Sequence, residues 1–350
     1  MERILAPIRK IIPDPILNAV RIPYHFGWAL LGNLIYRFPG RKLRVIGITG
    51  TKGKSMTAHL AAQILEAGDC KVGLISGVTM KDGRKTWQNE TMLTTRGRLA
   101  NPRLLRKMVK HGCTHVVIEV TSQAMNHYRV WGIPFETAVL TNFSKEHLDL
   151  HGTMENYRVA KGKLFDGLRK SDRSTAIVNG DDAAAPYFLE FFADVKYVFG
   201  TDSKIRDVHP LARTVVAEDV KLGPDGTTFT ARNEETIPVR LNLPGSFNVL
   251  NALAAISVGL AYGINPKQIA AGIESVKGVP GRMERVEAGQ PFPIVVDFAH
   301  TPDSFQAVLS NLREVTKDRL IAVFGAPGNR DKSKYPAMAE IARNSPTNWS

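Results

Sequence analysis

The stretch VIGITGTKGKSMTAHLAAQILEAG, residues 45–68, constrains the fold more than any other part of the chain. A β-branched run ends in a turn rich in glycine, threonine and lysine. An amphipathic helical pattern follows at once and stops at Gly68. A strand that delivers the chain to a glycine turn at a helix start is suited to holding phosphate. Glycines let backbone N–H groups close around the oxygens, and the helix N-terminus adds partial positive charge. Gly50, Thr51, Lys52, Gly53, Lys54 and Ser55 therefore read as nucleotide-binding residues. Lys54 is placed to reach the β- and γ-phosphates, and the Ser55 hydroxyl to ligate Mg²⁺. The general G-x-x-x-x-G-K-[ST] pattern wants glycine at 48, where this chain has Ile48, and Gly47 comes one position early. The strand before, the helix after and the Gly-Lys-Ser core favour a nucleoside triphosphate site over a chance glycine turn.

The rest of the chain supplies a frame for that loop. LRVIGIT, KVGLIS, THVVIEV and ETAVLTN read as strands, and RLANPRLLRKMVKHG as a second helix. Strands alternating with helices imply a parallel sheet covered on both faces, with ligands at the carboxyl ends of its strands. Glu119 ends one of those strands, where an acid can hold Mg²⁺ beside the loop. Asn142, His147, Asp149 and His151 cluster after the next. Two histidines are too few to argue zinc, so a place beside Mg²⁺ and nucleotide fits them better. After STAIVNGDD, residues 205–243 carry antiparallel strand patterns, and NVLNALAAISVGLAYG and PKQIAAGIESV are helices. GVPGRMERV reads as a hinge into two further β-α units. The expected architecture is α/β in three parts. An apolar-basic helical segment covers 1–42, and a P-loop type ATPase domain with a mostly parallel sheet covers 43–280. A partial Rossmann-like domain covers 281–350.

Composition narrows the partners. A formal charge of +13 suits anionic ligands as well as plain solubility. No zinc-finger spacing, RNP motif or basic-aromatic repeat points to nucleic acid. Two cysteines, Cys70 and Cys113, exclude a disulfide framework or a four-cysteine zinc site. Residues 1–40 mix basic and apolar side chains with five prolines, and read as short helices or one amphipathic helix over 24–37. Such a helix would cover an apolar face of the next domain or lie on a membrane surface, the first being commoner. No signal-peptide pattern is present, and the apolar run 26–36 is too short to span a bilayer. The cytoplasm is the expected location, with residues 1–40 as a candidate contact with the inner membrane face.

Several motifs in order resemble the Mur ligase family: TGTKGKS, EVTS, TNFSKEHLDLHGTMENYRVAKGKLF, VNGDD, LPGSFNVLNALAA, GVPGRME, DFAHTPDS and VFGAPGNRDKSKYPAM. The likeness runs from about residue 43 to the last residues, and is greatest to the branch that extends the peptidoglycan stem peptide. It implies ATP-dependent addition of an amino acid to a muramoyl-peptide carboxylate through an acyl phosphate, with two Mg²⁺ ions. It further implies that Lys54, His147 and Lys161 are catalytic, Lys161 as a carbamylated metal ligand. Ser55, Glu119, His147 and Lys161 would hold Mg²⁺. Asn142, Asn248, Arg282 and Asp297 would contact the nucleotide. Thr94, Thr95, Ser122 and Arg129 match positions that hold the sugar-peptide. His300, Asn329 and Arg330 would lie near the phosphates or the incoming amino acid. On residues alone, Lys161 reads as a solvated helix lysine, and Arg129 as a fork suited to a carboxylate or phosphate.

The chain departs from the family pattern in three respects. Only residues 1–42 precede the loop, where family members carry a domain that grips the uridine nucleotide. A lipid-linked muramoyl acceptor at the membrane therefore competes with a UDP-linked one. The segment bearing the family's amino-acid selection motif is missing, and ARNSPTNWS reads like a truncated or frameshifted end. Weak or no ligase activity of this chain alone, with ATP binding retained, is the expectation. Finally, Arg96 replaces a usual proline, and Thr121 and Gln123 replace serine and histidine, suggesting altered substrate contacts. Rival readings are a folylpolyglutamate synthase-like ligase and a non-catalytic ATP-binding remnant or partner subunit. HLDLHGTM and DFAHTPDS favour the muramoyl branch.

Overall fold

The computed structural model describes residues 14–344 apart from 92, 171–172, 224, 317 and 326–333. The first described element is helix α1 (Asp14–Tyr36), which runs through Pro23 without breaking. A short 3-10 turn leads to β1 (Arg44–Thr49), and the loop of interest then opens into α2 (Lys54–Ala67). β2 (Val72–Ile75) is followed by β3 (Thr79–Lys81) and β4 (Thr86–Gln88), an antiparallel extension that the sequence patterns did not single out. Next come α3 (Ala100–Lys110), β5 (His115–Glu119), α4 (Ser122–Asn126), β6 (Thr137–Leu140), α5 (Leu148–His151) and α6 (Met154–Asp166). β7 (Thr175–Asn179), α7 (Ala185–Leu189) and β8 (Val195–Gly200) continue the alternation.

β9 (Arg213–Gly223), β10 (Gly226–Arg232) and β11 (Thr236–Leu241) follow, then α8 (Ser246–Ala261) and α9 (Pro266–Glu274). These strands form one sheet in the order β11-β10-β9-β8-β7-β6-β1-β5-β2-β3-β4. From β9 to β2 the pairing is parallel, and hairpins close both edges. The central strands are buried at nearly every position, as expected where helices cover both faces. One apolar layer joins α2, α8 and α9 to the sheet, and another lies on the opposite face under α3 and α6. The antiparallel strands expected over 205–243 are β9, β10 and β11, although β9 first pairs in parallel with β8.

The last described elements are β12 (Glu284–Val286), β13 (Ile294–Val296), α10 (Pro302–Val315) and α11 (Lys334–Asn344). β12 and β13 form a two-stranded antiparallel ribbon, and the helices meet through Phe305, Leu309, Met338 and Ala342. The second β-α unit expected after the hinge would open with RLIAVFG as its strand, yet 319–325 pairs with nothing among the described residues. Val323 is 95% exposed there, so no neighbouring strand rewards extension with hydrogen bonds.

Of the two readings of the N-terminal segment, the structure has the single helix, 23 residues long and starting earlier than residue 24, and it packs beside α3 and the chain following α4. Asn33 donates to the carbonyls of Ala29 and Trp131, and Phe26 meets the Trp131 ring edge-on at 4.9 Å. Among the described residues, no helix is long and apolar enough to cross a membrane.

Candidate functional site

β1 lies between β5 and β6, so the loop after Thr49 emerges where the carboxyl ends of three parallel strands meet. Gly50 and Gly53 make the loop's path feasible. Both have positive φ, and a β-carbon on Gly50 would collide with Thr141 Oγ1, on Gly53 with Asn251 Oδ1. The neighbouring strand end grips the loop by its backbone. Asn142 accepts from the Lys52 amide at 2.8 Å and donates back to the Lys52 carbonyl at 3.1 Å. Thr141 Oγ1 donates to the same carbonyl at 2.6 Å. Gly53 caps α2 without a side chain, so no side-chain oxygen competes for the first-turn amides. Such a helix start is suited to an anion.

Two lysines converge on this loop. Lys54 Nζ donates to the carbonyls of Gly50 and Thr51, both at 2.8 Å. Lys161, on α6, is 2% exposed and donates to the Gly50 carbonyl at 2.7 Å. Its ammonium also lies 4.5 Å from the Tyr157 ring centroid. Lys161 is thus an interior residue, not the solvated helix lysine its sequence position alone suggests. Burial lowers the pKa of both, and the Lys54 charge lowers that of Lys161 further. The Glu119 and Glu146 carboxylates oppose the shift at Lys54.

Glu119 is 1% exposed at the end of β5, where it pairs in register with Ile48. Its Oε1 accepts from the Gly77 amide at 2.9 Å, and its carbonyl accepts from Thr95 Oγ1 at 2.7 Å. Thr94 sits against Gly77 on the same side. Arg129 donates to the Thr95 carbonyl at 3.4 Å, and Asn101 ties together the carbonyls of Arg96 and Arg129. Thr94, Thr95, Arg129 and Glu119 therefore form one continuous wall beside the loop. Ser122 Oγ lies 2.9 Å from His151 Nε2, and the His151 ring packs against Tyr157. Thr121 uses its hydroxyl to cap α4, accepting from the Ala124 amide at 3.1 Å.

His147 occupies a left-handed position at the start of α5 and is half-exposed, beside Glu146 and edge-on to Tyr157. Asn248 faces inward instead of into the loop. It is fully buried, donates to the Pro244 carbonyl, and accepts from Asn251 at 3.1 Å. Asn251, which the motifs did not single out, is the residue in direct contact with Gly53. Its i+3 spacing from Asn248 on α8 was the available signal. Tyr157 was also missed, although it precedes Lys161 by one helical turn. It joins Thr51, Phe143, His147, His151 and Lys161.

Arg282 stacks on the Phe298 ring, 4.6 Å from its centroid. Burial lowers its pKa, with Glu119 and Asp297 opposing. Asp297 accepts from the Met283 amide at 2.9 Å, and burial raises its pKa. His300 adjoins Phe298. Arg282, Asp297 and His300 thus share one patch, and Arg282 is within electrostatic reach of Glu119. Asn329 and Arg330 lie outside the described residues, and Asp149 is placed by backbone only. A cleft of about 1230 Å³ runs from Ile22, His25 and Arg41 to Gln123 and His151.

The fold and this loop define a class: α/β proteins with a P-loop type phosphate cradle on a mostly parallel sheet. The family profile of the Mur ligase middle domain matches residues 48–259, and that of the Mur ligase, glutamate ligase domain matches 281–347. The chain belongs to the Mur ligase family. It is 41% identical over 343 residues to a UDP-N-acetylmuramyl-tripeptide synthetase of Roseiflexus sp., covering 95% of this chain and 66% of that protein. It is 39% identical to the UDP-N-acetylmuramoyl-L-alanyl-D-glutamate--2,6-diaminopimelate ligase of Bacillus licheniformis, covering 90% of this chain and 63% of that one. A solved diaminopimelate ligase of the same description superposes with a TM-score of 0.67 at 28% identity, over 87% of this chain and 60% of the other. The chain spans just under two thirds of the length of these relatives.

Proposed function

We propose that the chain is an ATP-dependent ligase that joins an amino acid to the carboxylate of a muramoyl peptide. The observation that carries this reading is the meeting of Lys54, Lys161 and the glycine loop at the Gly50 carbonyl, with Glu119 on the adjacent strand. The acceptor carboxylate attacks the γ-phosphorus, ADP departs, and an acyl phosphate forms. The incoming amine attacks the acyl carbon, inorganic phosphate departs, and the amine loses a proton. Protein groups mainly position and neutralise in such a transfer.

Lys54 leaves its loop carbonyls to pair with the β- and γ-phosphates. Ser55 and Glu119 would hold Mg²⁺, which when bound offsets the charge of the transferring phosphoryl group. One hydroxyl and one carboxylate suit Mg²⁺, an ion that commonly takes its other ligands from phosphate and water. Accordingly, no group of three or more metal-ligating acids, histidines or cysteines occurs among the described residues. Lys161 is pushed toward the neutral amine, the form that adds CO₂, so carbamylation is chemically accessible and would supply a further anionic oxygen. His147 stands at the rim of the same space. Thr94, Thr95, Ser122 and Arg129 receive the acceptor, and Arg282, Asp297 and His300 face the nucleotide and the incoming amine. Asn142 and Asn248 serve as struts of the nucleotide loop.

The test is ADP release by the purified full chain with Mg-ATP, a panel of amino acids, and either muramoyl dipeptide or folate as acceptor. Mg-ATP affinity, with weak turnover that requires the muramoyl acceptor, is the expected result. Turnover with folate alone, or no affinity for Mg-ATP, would overturn the proposal.

A further inference from the structure

Helix α1 presents its surfaces in an unusual sense. Residues 22–36 contain no Asp, Glu, Lys or Arg. The polar Asn33 points into the protein, where its amide is held by Ala29 and Trp131. Gly32 lets the helix approach the Arg98 carbonyl so closely that a β-carbon would clash. The outward stripe is apolar: Leu31, Leu34 and Ile35 are 43%, 56% and 58% exposed, with Tyr24 and Gly27 on the same side. A helix on a globular surface ordinarily turns such a stripe inward and its polar residues outward.

Charge at the helix ends says what this stripe suits. Residues 1–42 hold seven basic and two acidic residues. Arg37, Arg41 and Lys42 are exposed just beyond the C-terminal end of α1. Tyr24, Trp28 and Tyr36 supply the amphipathic rings that favour a headgroup boundary. A second copy of the chain would bring the same cations against these and repel them. Anionic headgroups would attract them.

We propose that α1 is an interfacial anchor that lies flat on an anionic membrane surface, burying Leu31, Leu34 and Ile35 among acyl chains while Arg37, Arg41 and Lys42 pair with lipid phosphates. At 23 residues the helix offers about 35 Å of contact, and it is not apolar enough to cross. The cleft that reaches His151 begins under the same helix, at Ile22 and His25. This inference is independent of the ligase reading, because no catalytic group takes part in it.

Co-sedimentation of the full chain with vesicles tests it. Phosphatidylcholine vesicles containing about one third phosphatidylglycerol should pellet the protein at low salt, pure phosphatidylcholine should not, and high salt should release it. The L31E/I35E double variant should bind at least about tenfold more weakly. The R41E/K42E variant, outside the helix, should lose about fivefold per residue. Both should keep wild-type thermal unfolding and Mg-ATP affinity, which separates a failed anchor from a failed fold or a failed ligase assignment. A wild-type chain that stays in the supernatant overturns the proposal, as does undiminished pelleting by L31E/I35E. A dimer that L31E/I35E dissolves, with no vesicle binding, assigns the stripe to a second copy and equally overturns it.

Discussion

Lys54 and Lys161 donate to one atom, the carbonyl oxygen of Gly50, at 2.8 and 2.7 Å. The first belongs to the loop and the second arrives from a position 111 residues beyond Gly50. Two ammonium groups on one acceptor disfavour each other's charge in a buried setting. Burial lowers both; Glu146 favours the charge on each, but Glu119 supports Lys54 alone, and Lys161, lowered further by Lys54, falls well below the usual lysine range. Lys54 is therefore the resident cation and Lys161 the readier neutral amine. Lys54→Ala should weaken Mg-ATP binding about a hundredfold by calorimetry. Lys161→Gln should leave nucleotide affinity within a few-fold and cut amide formation about a hundredfold. A ¹³C carbamate signal from labelled bicarbonate should appear in the wild type and be missing in that variant.

Gly53→Ala places a methyl group against Asn251 Oδ1 at a φ of +80. The backbone penalty alone is about 1–3 kcal/mol. Thermal unfolding should shift down, and nucleotide affinity should fall with it. Asn251→Ala combined with Gly53→Ala should relieve the clash but not the dihedral strain, recovering only part of the loss.

Glu119→Gln keeps an oxygen for the Gly77 amide while removing the carboxylate charge. Thermal stability should change little. The Mg²⁺ concentration needed for half-maximal ATP binding should rise about tenfold or more, read from a metal titration.

Arg129 meets the Thr95 carbonyl on the wall that leads to Glu119. Arg129→Lys retains the cation and loses the fork, so the KM for the muramoyl acceptor should rise about tenfold while the KM for ATP holds.

His115 is buried beside Tyr262, and burial followed by the Arg44 charge lowers its pKa from 6.5 to about 4, against the pull of Glu136. The unfolded chain binds the proton more readily. Stability is therefore fully present above about pH 6.5 and declines as pH falls toward 4, where the decline levels off. After allowance for solvent screening the loss is about 2 kcal/mol. His115→Gln should flatten that part of a denaturation profile measured against pH.

Local chemistry made much of this molecule legible. The glycine spacing around Lys54, the β-branched runs and the helix stops act within a few residues of each other, so β1, α2, β5 and β6 could be read directly. The β3–β4 hairpin and β8 could not, because short strands gain their stability from neighbours distant in sequence. The run RLIAVFG failed in the opposite sense: its β propensity is strong, but no partner strand adjoins it among the described residues. Pro23 and the mixed character of residues 1–40 left fragments and one helix over 24–37 both open, whereas packing by Gly32 and Asn33 accompanies one continuous helix.

By itself, the sequence determined that a strand would lead through a glycine turn straight into a helix, since backbone geometry and glycine's conformational range are local properties. Tertiary structure alone decided that Lys161 is an interior amine sharing an acceptor with Lys54, that Asn251 buttresses Gly53, and that α1 turns its apolar stripe outward. Burial and through-space charge depend on which distant segments come together, and no spacing within a single segment encodes that.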